Sequence, residues 1–198
     1  KVAPQISPSQ PTQPGGSNIA VNEVAVPGQT VSDKTATSTT VQESDIWKFS
    51  GNTLYFFNQQ RGLQVIDVTR PASPVIRDTL PIVARGEQLY VLPAGVPSGE
   101  WLALLTQPEC RWDATEILLV QSTDRGPQEG ARVALPGYPV ESRLVGNVLV
   151  VASQGWTNRP VSLTDPQGPS VYESITWVSA IDLANPSKPA LRSSVEFK

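Results

Sequence analysis

Two stretches of the chain carry the same turn, and that repetition limits the folds open to it. Residues 63–76 read LQVIDVTRPASPVI and residues 178–191 read VSAIDLANPSKPAL. In each, Ile-Asp is followed by two prolines at matching positions: Ile66, Asp67, Pro71, Pro74 and Ile181, Asp182, Pro186, Pro189. A strand ends at Ile-Asp, and the Asp carboxylate can accept hydrogen bonds from backbone N–H groups just ahead. The first proline sets φ in the turn. The second opens the next strand, where a missing N–H is tolerated. Asp67 and Asp182 therefore read as turn-capping structural residues. Replacing either by alanine is expected to lower stability without removing an activity.

The repeat extends upstream. WKFSGNTLYFF (47–57) aligns with SRLVGNVLVVA (142–152), each with Gly-Asn between two apolar runs, which is a hairpin signal. Each unit thus supplies four antiparallel strands. Runs at 87–92, 101–106, 116–121 and 131–135 supply four more in a degenerate middle unit, where Val120-Gln121-Ser122 stands in place of the Ile-Asp pattern. Four strands per repeat of roughly forty residues or more is the arithmetic of a β-propeller. The expected fold is all-β: a partial β-propeller of about three four-stranded antiparallel blades, near 45–82, 83–137 and 138–198. Closed propellers need about four blades or more, so these three are expected to be part of a longer propeller.

Residues 1–44 differ from the rest. They are rich in Pro, Ser, Thr and Gln and hold no aromatic residue. Such a stretch buries too little apolar surface to offset its chain entropy. It reads as an extended leader, ordered on a partner or on its own propeller. The alternating segment from Ala20 to Val26 is suited to adding a strand to an open sheet edge.

Composition removes several chemistries. The chain has no histidine, one cysteine and a formal net charge of −3. Histidine-based triads, histidine metal sites and the usual pH switch are therefore absent. Cys110 cannot form an internal disulfide. It reads as a free thiol in or under a loop, with intermolecular pairing as the sharper alternative. There is no basic cluster for nucleic acid and no apolar run long enough to span a bilayer as a helix. No CxxC, HExxH, GxSxG or phosphate loop is present. No cofactor is expected; structural calcium bound through backbone groups stays open. The acidic pairs Glu43/Asp45 and Asp113/Glu116 read as loop and strand-entry residues rather than paired catalytic carboxylates.

Two loop-like segments draw attention: 107–115 (QPECRWDAT) and the insertion 153–174 (SQGWTNRPVSLTDPQGPSVYES). They carry Arg111, Trp112, Trp156, Arg159 and Tyr172, residue types favoured at interaction hot spots. These five are the candidate partner contacts. The alternative for each segment is a cover over a blade edge. Trp47, Trp101 and Trp177 lie in strand runs and read as core between blades.

The segment GLQVIDVTRPASPV resembles an LVIVD repeat, and SDIWKFSGNTLYFFNQQRGLQVIDV resembles the opening of the secreted bacterial β-propeller domain family. The resemblance covers about 43–82 well and 140–197 more loosely. It implies an extracytoplasmic location, whether secreted, periplasmic or on the cell surface, and the Pro/Ser/Thr/Gln-rich start, which resembles the tether after a lipoprotein or secretory cleavage site, leaves room for a lipid anchor upstream. It also implies a non-enzymatic role as a protein–protein interaction or structural module in a cell-surface or extracellular assembly. Two alternatives stay open: a propeller that binds a ligand, glycan or metal, and a propeller enzyme whose active groups lie in other blades.

Overall fold

The computed structural model describes residues 40–93, 99–109, 111, 113–161 and 170–198. Among these residues there are strands and turns and no helix. The alternating segment 20–26, Cys110 and Trp112 lie outside the described residues.

Three four-stranded antiparallel sheets follow one another along the chain, each in simple sequence order. The first contains β2 (Trp47–Ser50), β3 (Thr53–Asn58), β4 (Gly62–Asp67) and β5 (Val75–Leu80). The second contains β6 (Ala84–Val91), β7 (Glu100–Pro108), β8 (Ala114–Thr123) and β9 (Gly126–Pro136). The third contains β10 (Tyr138–Val145), β11 (Val148–Pro160), β12 (Ser170–Asp182) and β13 (Ala190–Phe197). A short strand, β1 (Val41–Glu43), pairs with the free edge of β10 and makes the third sheet five-stranded.

The last residues of the expected leader are thus part of a sheet. The first strand of each sheet leaves a row of backbone donors and acceptors open on one side, and this segment fills part of that row. β1 pairs with β10 in the third sheet. Asp45 then bridges Leu89 of β6, the Leu89 N–H donating to the Asp45 carbonyl at 2.9 Å. The chain finally enters the first sheet, where the Phe57 N–H donates to the Ile46 carbonyl at 2.8 Å. Residues 40–46 therefore run along the first strands of the third and second sheets before the chain enters the first sheet as β2.

The middle sheet is buried on both faces, which explains the unbroken apolar runs WLALL and ILLV in β7 and β8. Side chains alternate across it. Leu89, Leu102, Leu104, Leu118 and Val120 pack against Tyr55, Phe57, Leu63 and Val65 of the first sheet. Tyr90, Trp101, Ala103, Leu105, Ile117 and Leu119 pack against Leu144, Leu149, Val151 and Ile181 of the third. Two of the three strand tryptophans depart from the expected core positions. Trp101 is buried, but Trp47 is 52% exposed on the outer face of the first sheet. Trp177 is half-buried and donates its indole N–H to Glu196 at 3.1 Å.

Candidate interaction surface

The repeated turn is built the same way twice. Asp67 Oδ1 accepts the Thr69 N–H at 2.8 Å, and Asp182 Oδ1 accepts the Ala184 N–H at 2.9 Å. The Gly-Asn turns match as well: Gly51 and Gly146 sit at φ of 53° and 58°. Asn52 and Asn147 each accept a backbone bond from the residue after the Asp, Val68 at 2.9 Å and Leu183 at 2.8 Å. The register slips by a bulge at Val65/Ile66 in one sheet and at the equivalent Ala180/Ile181 in the other.

The structure adds a partner that the sequence reading missed. Arg77 lies 3.8 Å from Asp67, and Arg192 lies 2.6 Å from Asp182. The signal was present: both arginines follow their Asp at the same spacing, three residues past the second proline. These carboxylates are occupied within their own turns. The Asp182 carboxyl is held below its usual 3.8 by the Ala184 N–H first and then by Arg192. A depressed folded-state value favours the ionised form on folding. Its contribution is complete above 3.8 and fades as the pH falls through the lower folded value. Asp182→Asn is therefore expected to lower Tm at pH 7. The gap to the unmodified protein should narrow as the pH falls below 3.8, read from thermal melts across pH.

The other acidic pairs are likewise engaged. Glu43 faces Arg143 at 3.4 Å, and Asp45 Oδ1 accepts the Ile46 N–H at 2.8 Å. Asp113 faces Arg111 at 3.7 Å, both exposed, and Glu116 pairs with Arg132. Arg111 thus sits on the surface beside the start of β8. No cluster of three or more metal-ligating side chains occurs among the described residues. No helix there is long and apolar enough to cross a membrane.

A polar cleft of about 560 Å³ lies between the first and second sheets, lined by Thr53, Tyr55, Arg77, Asp78, Glu100 and Ser122. The Tyr55 hydroxyl has one proton to give. It donates to Glu100 Oε2 at 2.7 Å, so the 2.8 Å contact with Ser122 Oγ is one in which the serine donates. Burial, first of all, pushes the Tyr55 phenol up to about 12. At neutral pH it is a hydrogen-bond donor that ties two sheets together, not a base or nucleophile.

The insertion 153–174 is where the structure most changes the sequence reading. It is not a loop at either end. β11 and β12 pair continuously from Val148↔Asp182 out to Pro160↔Ser170. The neighbouring pairings stop earlier, at Gln154 on the β10 side and at Thr176 on the β13 side. The far part of the hairpin therefore projects from the sheet as a two-stranded ribbon. Residues 162–169, with Asp165, lie outside the described residues.

Strand alternation puts Trp156 and Tyr172 on one face of this ribbon, since Trp156 pairs with Ser174 and Asn158 with Tyr172. They are 64% and 74% exposed. The Trp156 indole stacks on the Tyr138 ring, with centroids 5.5 Å apart. The Tyr138 hydroxyl donates to Gln154 Oε1 at 2.7 Å, and the Gln154 amide donates to Ser174 at 3.1 Å. The base of the ribbon is thus cross-linked on its aromatic side. Arg159 lies in β11 near the ribbon tip, paired with Val171 through the backbone. Of the five candidate contacts, the structure brings Trp156 and Tyr172 together and leaves Arg111 on a separate segment.

The aromatic face of the ribbon continues into the outer face of the third sheet, where Val41, Val195 and Phe197 are exposed. The first sheet also has an apolar outer face, with Trp47, Phe49 and Ile76 exposed. Repeat alignment relates these faces. Phe49, Leu54, Phe56 and Ile66 face outward on the first sheet. Their counterparts Leu144, Leu149, Val151 and Ile181 face inward on the third, against the middle sheet. Conversely, inward-facing Tyr55, Phe57, Leu63 and Val65 correspond to outward-facing Val150, Ala152, Val178 and Ala180. The first and third sheets therefore turn opposite faces toward the middle sheet, and the outer face of each carries exposed apolar side chains.

Comparison of the chain with protein-family models, with curated proteins and with solved structures found no match in any of the three.

Proposed function

We propose that the three sheets are blades of a β-propeller, and that the chain acts outside the cytoplasm as a non-enzymatic protein–protein interaction or structural module. The observation that carries this reading is the aromatic ribbon. Trp156 and Tyr172 share one projecting face that runs into an exposed apolar sheet face. Rigid aromatic side chains on such a platform give large contact area for little lost rotamer freedom. The opposite faces that the first and third sheets turn toward the middle one support the propeller. The Pro/Ser/Thr/Gln-rich leader and the likeness to LVIVD repeats support the extracytoplasmic setting.

A photo-crosslinking residue at position 172, with one at Arg125 in the β8–β9 turn as control, tests the reading in extracytoplasmic extracts of the source cells. The expected result is a discrete protein adduct from position 172 and none from 125. Trp156→Ala should reduce the adduct at least about tenfold. Failure to capture any protein from position 172 would contradict the proposal. Neither change is expected to unfold the chain: Tyr172→Ala should shift stability by less than about 0.5 kcal/mol. Trp156→Ala should cost about 1 kcal/mol through its stack, as read from urea denaturation.

The Tyr55 cleft favours a second reading, a small polar ligand such as a sugar held between blades. Glycan-array binding that is lost on Tyr55→Phe would support it, and an array with no signal would count against it.

A further inference from the structure

We propose that the polar cleft between the first and second sheets binds a sugar that carries a protonated amine. The inference rests on the second reading of that cleft, a small polar ligand held there, and names its chemical class.

At about 560 Å³ the cleft has the size of a small-molecule site. Its floor is made of fixed hydroxyl groups. Tyr55 is 1% exposed, and its hydroxyl is tied to Glu100 at 2.7 Å and to Ser122 at 2.8 Å. Thr53 and Thr123 add two more hydroxyls to the wall. Each can donate and accept, which suits the hydroxyls of a sugar.

Hydrogen bonds alone would hold a neutral sugar weakly. Each replaces a hydrogen bond to water, so the net gain is small. An aromatic face on which a sugar ring could lie is missing. Tyr55 is the one aromatic residue of the lining, and its ring is buried.

Charge supplies what stacking does not. The lining holds three carboxylates, Asp78, Glu100 and Asp124, against one guanidinium, Arg77, a net charge of −2. Arg77 also lies 3.8 Å from Asp67, so part of its charge is offset outside the cleft. Glu100 engages Oε2 with Tyr55 and leaves Oε1 for a ligand. Asp78 and Asp124 have no hydrogen-bond or ion-pair partner among the described residues. Asp78 is seated against the neighbouring sheet: a Cβ added to Gly126 would come within 2.7 Å of its Oδ2. The carboxylates do not converge on one point, and no group of three that could hold a metal ion occurs among the described residues. Spread around a cleft, they suit an organic cation. The hydroxyls of an amine-bearing sugar would meet the Tyr55 floor while its amine meets the acidic wall.

Calorimetric titration with the β-1,4-linked glucosamine disaccharide at about pH 6, where its amines are protonated, tests this. Its di-N-acetylated counterpart is the uncharged probe. The expected result is saturable binding of the amine form and at least about tenfold weaker binding of the acetylated form. Asp78→Asn and Glu100→Gln should each weaken the amine form about tenfold and leave the acetylated form little changed. Added salt should shrink the difference between the two sugars. Both substitutions keep the side-chain shape, so thermal melts should stay those of a folded protein.

Equal binding of the two sugars overturns the inference and leaves the sugar reading of the cleft standing. No binding of either overturns both. Binding of the amine form that neither substitution weakens, in protein that melts normally, places the sugar elsewhere and also overturns the inference.

Discussion

Cutting Leu102 back to alanine is expected to lower the unfolding free energy by about 3–5 kcal/mol. Leu102 is fully buried and lies in the middle sheet, packed into the cluster with Tyr55, Phe57, Leu63 and Val65. Its neighbours on β7 pack the other way, against the third sheet, as Ala103 and Leu105 do. A strand held on both faces cannot move toward the gap without opening the opposite interface. The cavity therefore stays largely unfilled, and the cost falls in the upper part of the usual range for Leu→Ala. Val83, 79% exposed between the first and second sheets, is the control. Val83→Ala should change stability by less than about 0.5 kcal/mol. Urea denaturation of the three proteins checks the contrast. A Leu102→Ala cost near that of Val83→Ala would mean that the middle sheet is not enclosed from both sides.

Gly62→Ala should be nearly as damaging, at about 2–4 kcal/mol. Gly62 opens β4 with φ at +76°, a conformation that L side chains rarely adopt. An added Cβ would also fall onto the Leu80 carbonyl oxygen and within 2.9 Å of the Ile82 nitrogen. Both obstacles are backbone, so no side chain can swing away to make room. Ile82 is itself buried in the cluster between the first and second sheets. Gly51→Ala provides the comparison. It has a similar φ of 53° but nothing within 4 Å of an added Cβ, so it isolates the conformational strain from the collision. Gly51→Ala should cost about 1–2 kcal/mol. Equal effects at the two positions would show that the Leu80 backbone can shift freely and that β5 is loosely held.

The strand pattern and the repeated turns were legible because they depend on local rules. Asp67 and Asp182 declare themselves through the prolines that follow, and Gly51 and Gly146 through the asparagine beside each. The middle sheet was harder to read. β9 is largely exposed, and β8 begins and ends on residues that look like loop, so the apolar runs there were shorter than the strands. The ribbon was misread for a related reason. Its far part pairs only with itself, so its residues answer to no core and show no apolar alternation. Trp156, Thr157 and Asn158 look like loop and are strand. Trp47 was misplaced because a strand pattern shows that one face is apolar and not whether anything covers it. That is also why the two uncovered sheet faces were invisible before the stacking of the sheets was seen.

The candidate surface was legible in part. Residue type drew attention to Trp156 and Tyr172, but only the Trp156↔Ser174 and Asn158↔Tyr172 register puts them on one face. Gly137 and Gly155 escaped notice altogether. Each lies against the Trp177 ring, where an added Cβ would come within 2.9 and 3.0 Å of Cζ3. Two separated glycines that bed one indole leave no local signature in the chain.

In the proposed propeller the first and third sheets are the same unit, carried around an axis by the intervening sheet. A crystal structure of the chain measures this directly through the rotation that superposes β2–β5 on β10–β13. For neighbouring blades of a ring of four to eight, two steps amount to about 90–180°. The expected result is a rotation in that range that lays Asp67 on Asp182 and Arg77 on Arg192. A rotation near zero, with the sheets related by simple translation as flat layers, would contradict it.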